Sequence, residues 1–124
     1  MANPNIVSVA SIYGKTVYDQ DIAASAASLV SNAASSGKIF KINSLIIANI
    51  DGTNSADISV TLRNAAGGTI YSYLAWTVAV PADATLIVIS KDTSIYLEED
   101  MSLYVQASAA NDLSATCSYE EISE

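Results

Sequence analysis

The sequence predicts an all-β protein: one antiparallel β-sandwich, jelly-roll-like, of eight to nine strands, forming a single domain over residues 1–124. Three observations predict it. Apolar residues recur at every second position along several runs, the period that puts alternate side chains on opposite faces of a sheet. Turn-forming clusters interrupt those runs roughly every dozen residues, the punctuation of a sandwich or barrel. The chain is also 51% hydrophobic and 15% charged, with a mean hydropathy of +0.33. That is too apolar for disorder, and a chain of this length can bury one core without staples.

Strands are expected at residues 5–17, 26–34, 38–50, 56–63, 69–80, 84–90, 94–97, 101–109 and 113–121. In the third, the even positions Phe40, Ile42, Ile46, Ala48 and Ile50 are apolar while Lys41, Asn43 and Asn49 interrupt the odd ones, so the even face is expected inside. In the fourth, Ile58, Val60 and Leu62 alternate with Asp57, Ser59, Thr61 and Arg63, an antiparallel strand with one wet face. Leu103, Val105 and Ala107 repeat the pattern against Ser102, Gln106 and Ser108, and Leu113, Ala115, Cys117 and Tyr119 share one face near the C-terminus. The breakers are Asp51-Gly52-Thr53-Asn54, Ala66-Gly67-Gly68, Pro81-Ala82-Asp83, Lys91-Asp92-Thr93, Glu98-Glu99-Asp100 and Ala110-Asn111-Asp112. The second strand has a helical rival: Asp21 as cap, with Ile22, Ala26, Leu29 and Val30 at helical spacing. The serines between Ser25 and Ser36 compete for backbone hydrogen bonds, and only Gly37 separates the segment from the next strand, so strand is preferred.

Charge and composition exclude several functions. Five Lys and Arg against thirteen Asp and Glu give a net charge of −8, which repels nucleic-acid phosphates and anionic lipid. No run approaches the ~20 apolar residues of a membrane helix, and Met1-Ala2-Asn3-Pro4-Asn5 has no basic region leading into an apolar core, so neither a span nor a secretory signal is expected. Histidine is absent, which removes the commonest general base, nucleophile activator and metal ligand. Gly67-Gly68 reads as a turn pair and Gly52 stands alone, so no phosphate loop is expected. No catalytic, metal or cofactor-binding residue is assigned.

The acidic clusters read as solvated turns. Glu98, Glu99 and Asp100 lie at an expected hairpin tip, where nothing holds one carboxyl neutral for acid/base work. Asp19 with Asp21, and Glu120 with Glu121, read the same way. Asp51 to Asp57 offers oxygen ligands without the terminal Glu of the twelve-residue calcium loop, so a polar hairpin is preferred. Cys117 has no partner and no nearby cation, and is expected as a small buried hydrophobe.

The aromatic residues point to interaction. The chain has seven tyrosines and one tryptophan. Tyr71 and Tyr73 fall on one face of an expected strand whose other face carries Ile70, Leu74 and Trp76, so either the tyrosine pair or Trp76 is expected to look outward. Aromatics with a polar handle are enriched where proteins meet. Tyr71, Tyr73, Trp76 and Tyr104 are the candidate interaction surface, with packing at the sandwich rim as the alternative.

The stretch from Ser36 to Asn54 (SGKIFKINSLIIANIDGTN) resembles a recurring segment of small virion proteins of tailed marine phages, especially those infecting cyanobacteria. Further matching blocks are Val80 to Ile89, Ser94 to Glu99 with Ser102-Leu103, Ser108 to Leu113 and Ser118 to Ile122, so the resemblance covers residues 30–122. It implies a structural role in the virion after synthesis in the host cytoplasm, and carries over no catalytic residue. The expected function is a capsid decoration or cement subunit, with a neck, tail or baseplate component and a glycan-binding module for host attachment as alternatives. The expected partners are the major capsid protein first, tail or neck proteins next, and further copies of the chain, since closed symmetry protects exposed edge strands.

Overall fold

The computed structural model describes residues 3–124; Met1 and Ala2, which begin the N-terminal stretch discussed above, lie outside it. Among the described residues there are nine strands: β1 Ser11–Asp19, β2 Ala27–Asn32, β3 Lys38–Asn49, β4 Ala56–Arg63, β5 Ile70–Val80, β6 Thr85–Ile89, β7 Ile95–Leu97, β8 Met101–Ala107 and β9 Leu113–Ser123. A single 3-10 turn, Lys91–Thr93, separates β6 from β7.

The strands form two sheets. The first has the order β1-β9-β3-β6, with β7 also on β3, and the second has the order β2-β8-β4-β5. The chain alternates between sheets from β1 to β4. On its return it pairs antiparallel with its outward half: β5 on β4, β6 and β7 on β3, β8 on β2, β9 on β1. A long hairpin rolled in this way is a jelly roll. Its edges differ: β6 and β7 divide one edge into two short pieces along β3, whereas β5 is eleven residues long and pairs only with β4.

The core lies between the sheets. Ile42, Leu45, Ile47, Leu113, Ala115 and Cys117 face Ile58, Val60, Leu103 and Val105 across it. Full burial of each large aliphatic side chain contributes about 1.5–3 kcal/mol. The β3 face differs from the expected one. The pairing of β3 with β9 shifts register between Ile42 and Ser44, a bulge that inserts one residue. Phe40 and Ile42 are buried before it and Leu45, Ile47 and Asn49 after it, so Ile46 points outward, and Ile50 lies exposed just past the strand.

One further expectation is corrected. Residues 5–10 are not strand, because Ser11 already pairs with Ser123 and β9 offers no partner beyond it. That segment is tied down instead by Asn5 N–H donating to Glu124 Oε1 and Ala10 N–H donating to Ser123 O. Residues 21–36 hold strand β2 and no helix, which is the preferred reading of the sequence and not its helical rival. The helical spacing arose from two other causes: Ile22 is a buried plug in the β1–β2 connection, its N–H bonded to Leu113 O, and a bulge between Ser28 and Val30 buries both Leu29 and Val30.

Candidate functional site

Glu98 to Asp100 and Asp51 lie in the turns between strands, as expected, whereas Glu120 and Glu121 do not: they fall within β9, whose ladders to β1 and β3 continue past both. Glu98 Oε1 accepts from Asn3 Nδ2 at 2.6 Å, Glu99 Oε2 from Gly37 N at 3.2 Å, and Asp100 Oδ1 from Ala65 N at 3.2 Å. Each carboxylate ties a different loop to the β7–β8 turn. Asp51 Oδ1 likewise accepts from the N–H groups of Thr53 and Asn54, which pulls its pKa below the ordinary carboxylate range. Asp112 moves the other way, raised by desolvation and by the neighbouring Asp51. Glu121 bridges Lys15 at 3.2 Å and Lys38 at 3.4 Å. Among the described residues no three His, Cys, Asp or Glu side chains converge as metal ligands. Cys117 is fully buried, and desolvation pushes its thiol up to about 11.

The aromatic candidates assemble on the outer face of the second sheet. Tyr73 pairs with Thr61, whose neighbours across the face are outward-facing Tyr104 and Arg63. The register of β5 against β4 slips three times, once opposite Ser59. There Thr77 adopts φ +50°, a conformation costly for a β-branched residue, and its N–H is held by Ser59 Oγ at 2.9 Å. The kink brings Trp76 onto the same side as Tyr73. Their rings meet edge to face at 5.0 Å, with Tyr73 58% and Trp76 52% exposed. The expected choice between the tyrosine pair and Trp76 therefore does not arise. Tyr71 is also exposed, but it falls at the last slip, where Ser72 pairs with Leu62 and Ile70 with Arg63.

Tyr104 anchors the other side of the cluster. Arg63 Cζ stands 4.7 Å over its ring, Arg63 Nη1 donates to Gly67 O at 3.1 Å, and the Tyr104 hydroxyl lies against Gly67. Between Trp76 and the end of β8 lies a shallow hollow of about 130 Å³, lined by Asp57, Ser59, Thr77, Gln106 and Ser108 among others. Sequence reading did not single out Arg63, Asp57 or Gln106 for this surface. The signal was present, because all three alternate with buried residues on their strands.

The first sheet carries a different outer surface. Tyr18 pairs with Thr116, Thr116 with Ile46, and Ile46 with Ile87, a row crossing β1, β9, β3 and β6 without a charge. Tyr18 is 75% and Ile87 60% exposed. The even-position periodicity of β3 hides this row, because it puts Ile46 in the core.

No protein-family model matches the chain, and no curated protein matches it. A solved structure described as Bacillus endospore appendages, a family of disulfide-linked pili, shares the fold with a TM-score of 0.53 at 16% identity, over 91% of this chain and 88% of that one. At that identity the likeness shows the fold alone.

Proposed function

We propose that the chain is a non-catalytic structural subunit of a tailed-phage virion, docking on the capsid exterior as a decoration or cement protein. The observation that carries this reading is the uncharged, mainly apolar row Tyr18–Thr116–Ile46–Ile87 on the outer face of the first sheet. A sandwich that stays alone in water gains nothing by presenting such a row, whereas a docking face does. The resemblance of residues 30–122 to small phage virion proteins supports the setting. The net charge of −8 suits a subunit that stays dispersed until it meets its dock, and disfavours nucleic acid and membrane as partners.

The partners in this reading are the major capsid protein and further copies of the chain. The β5 edge, Ile70–Val80, has no charged residue, so pairing it with another copy meets no repulsion despite the overall charge. The pilus subunit that shares the fold belongs to an assembly linked by disulfides. In this sequence the one cysteine is buried with its thiol protonated, so the contacts proposed here are non-covalent.

Quantitative mass spectrometry of purified particles tests the reading, with the major capsid protein as reference. Copies in the hundreds are expected, because only the shell lattice offers that many equivalent docks. A few to a few dozen copies move the subunit to the neck, tail or baseplate. Absence from the particles overturns the reading. A non-catalytic role further requires that Glu98→Gln with Glu99→Gln leaves particle function unchanged.

A further inference from the structure

We propose that the hollow beside Trp76 is a carbohydrate site that takes one neutral sugar ring. It lies on the second sheet, opposite the face proposed to dock, and the inference is independent of where the chain is mounted. Three features support it, beginning with the tryptophan itself. Trp76 leaves half its surface open on a strand surface, and its orientation is fixed by the edge-to-face contact with Tyr73 at 5.0 Å and by the Thr77 kink, which Ser59 Oγ holds. A positive φ at a β-branched residue costs on the order of 1–3 kcal/mol, and such strain gathers at ligand-binding positions. A fixed, open indole is a platform for the C–H face of a pyranose, which is apolar on that side and ringed by hydroxyls.

The second feature is the supply of hydroxyl partners around the platform. Among the described residues the Asp57 carboxylate has no hydrogen-bond partner, so both oxygens are available to accept from adjacent hydroxyls. Gln106 uses its Nε2 on Ala24 O at 2.9 Å, which fixes the amide and leaves Oε1 as an acceptor. Ser108 Oγ accepts the Asp57 N–H at 2.8 Å and keeps its own proton to donate.

The third feature discriminates between ligands. A tryptophan at the centre of a protein contact sits among apolar neighbours in a dry pocket. Here Asp57, Ser59, Thr77, Gln106 and Ser108 bring hydrogen-bonding groups to a hollow whose exposed surface is mostly apolar, the mixture a sugar ring matches, and about 130 Å³ has room for one ring. No cation lines this hollow and Asp57 is anionic, so the ring it accepts is neutral and not a sulfated or phosphorylated one.

Trp76 is the chain's one tryptophan, so its emission reports on the site directly. The test titrates the full chain with glucose, galactose and N-acetylglucosamine, and with maltotriose, cellotriose and chitotriose, following Trp76 fluorescence and saturation-transfer NMR. A saturable response to at least one of the six is expected. Its affinity should fall about tenfold or more in Trp76→Ala and in Asp57→Asn, each loss the size of one lost polar or stacking contact, and fall less in Trp76→Phe. Circular dichroism checks that each variant is folded. A trimer response without a monosaccharide response supports a polysaccharide surface as source, and an equal response supports free sugar. The proposal is overturned if none of the six sugars gives a saturable response, or if Trp76→Ala binds as well as the parent. It is also overturned if emission shifts only with protein concentration, which makes Trp76 a protein contact.

Discussion

Asn32, the last residue of β2, and Asn49, the last residue of β3, perform the same task at opposite corners of the sandwich. Asn32 Nδ2 donates to Lys38 O at 2.9 Å and Leu97 O at 3.0 Å, while its Oδ1 accepts from Ser36 Oγ. Asn49 Nδ2 donates to Asn54 O at 3.0 Å and Val80 O at 2.8 Å, while its Oδ1 accepts from Asp51 N. Both are buried, and each ties a loop that carries the chain between sheets to the end of an edge strand. Asn32→Ala or Asn49→Ala strands one buried and one partly buried carbonyl and is expected to cost about 1–3 kcal/mol, read as a lower urea midpoint. Replacement by Asp is no rescue, because a carboxylate cannot donate to the two carbonyls.

The second prediction concerns Gly67. Its φ is +86°, and a Cβ there would collide with the Tyr104 hydroxyl. Gly67→Ala is expected to cost about 1–3 kcal/mol, by backbone strain and by displacing the Tyr104 ring from under Arg63. Thermal unfolding of Gly67→Ala, Tyr104→Ala and the double variant separates the two causes. A smaller glycine penalty in the Tyr104→Ala background assigns the difference to the collision.

The third concerns alkaline pH. Cys117 is fully buried and its thiol is raised to about 11, while Tyr119 is raised by desolvation first. Above the unfolded thiol pKa the unfolded chain loses a proton that the folded chain keeps, so stability falls as pH rises from about 9 towards 11. The thiol accounts for about 2 kcal/mol of that loss. Cys117→Ala should be less stable at neutral pH by about 1 kcal/mol of lost packing, yet lose less on the way to pH 11. The native thiol should stay unreactive to a disulfide reagent until the chain unfolds.

The fourth concerns acid. Asp112 is raised, so its ionised form weakens the fold above its unfolded pKa, and protonation relieves that as pH falls. Asp51 is lowered, so its contribution is present above its unfolded pKa and lost as pH falls. In the parent chain the two oppose each other. Asp112→Asn should therefore raise Tm slightly at pH 7 and steepen the loss of stability on acidification, measured by thermal scans from pH 7 to pH 3.

The fifth tests the docking face. Ile46→Lys and Ile87→Lys place a charge on an exposed position, so folding stability should change by no more than about 0.5 kcal/mol. If the face docks as proposed, either variant should be depleted from purified particles. Ile47→Ala, one residue away and fully buried, should instead cost about 2–5 kcal/mol.

The strands themselves were legible because breakers bound them: residues 56–63 were expected and observed as strand without a change of boundary. What the sequence concealed was the direction in which side chains point, because one inserted residue reverses every side chain beyond it. The bulge at Asn43–Ser44 turned Ile46 outward and Leu45 inward, and the slips of β5 put Tyr73 and Trp76 on one face. Nothing in local composition marks such a bulge; it is fixed by how two distant strands must meet. The aromatic residues of the candidate surface were therefore recognisable by type, but their convergence with Arg63, Asp57 and Gln106 was not.

The rolled topology also sets the order in which the molecule can come into being. Only β4 and β5 are neighbours both along the chain and within a sheet, while Ser11 must find Ser123 and Ala27 must find Val105. Long loops must close before those pairings give any return, which places folding in the slow range of milliseconds to seconds. Leu113–Ser123 lies between β1 and β3, so the first sheet has a gap at its middle until that strand is made. A nascent chain halted before Leu113 exposes the edges of both β1 and β3, and needs shielding from its neighbours until β9 arrives to join them.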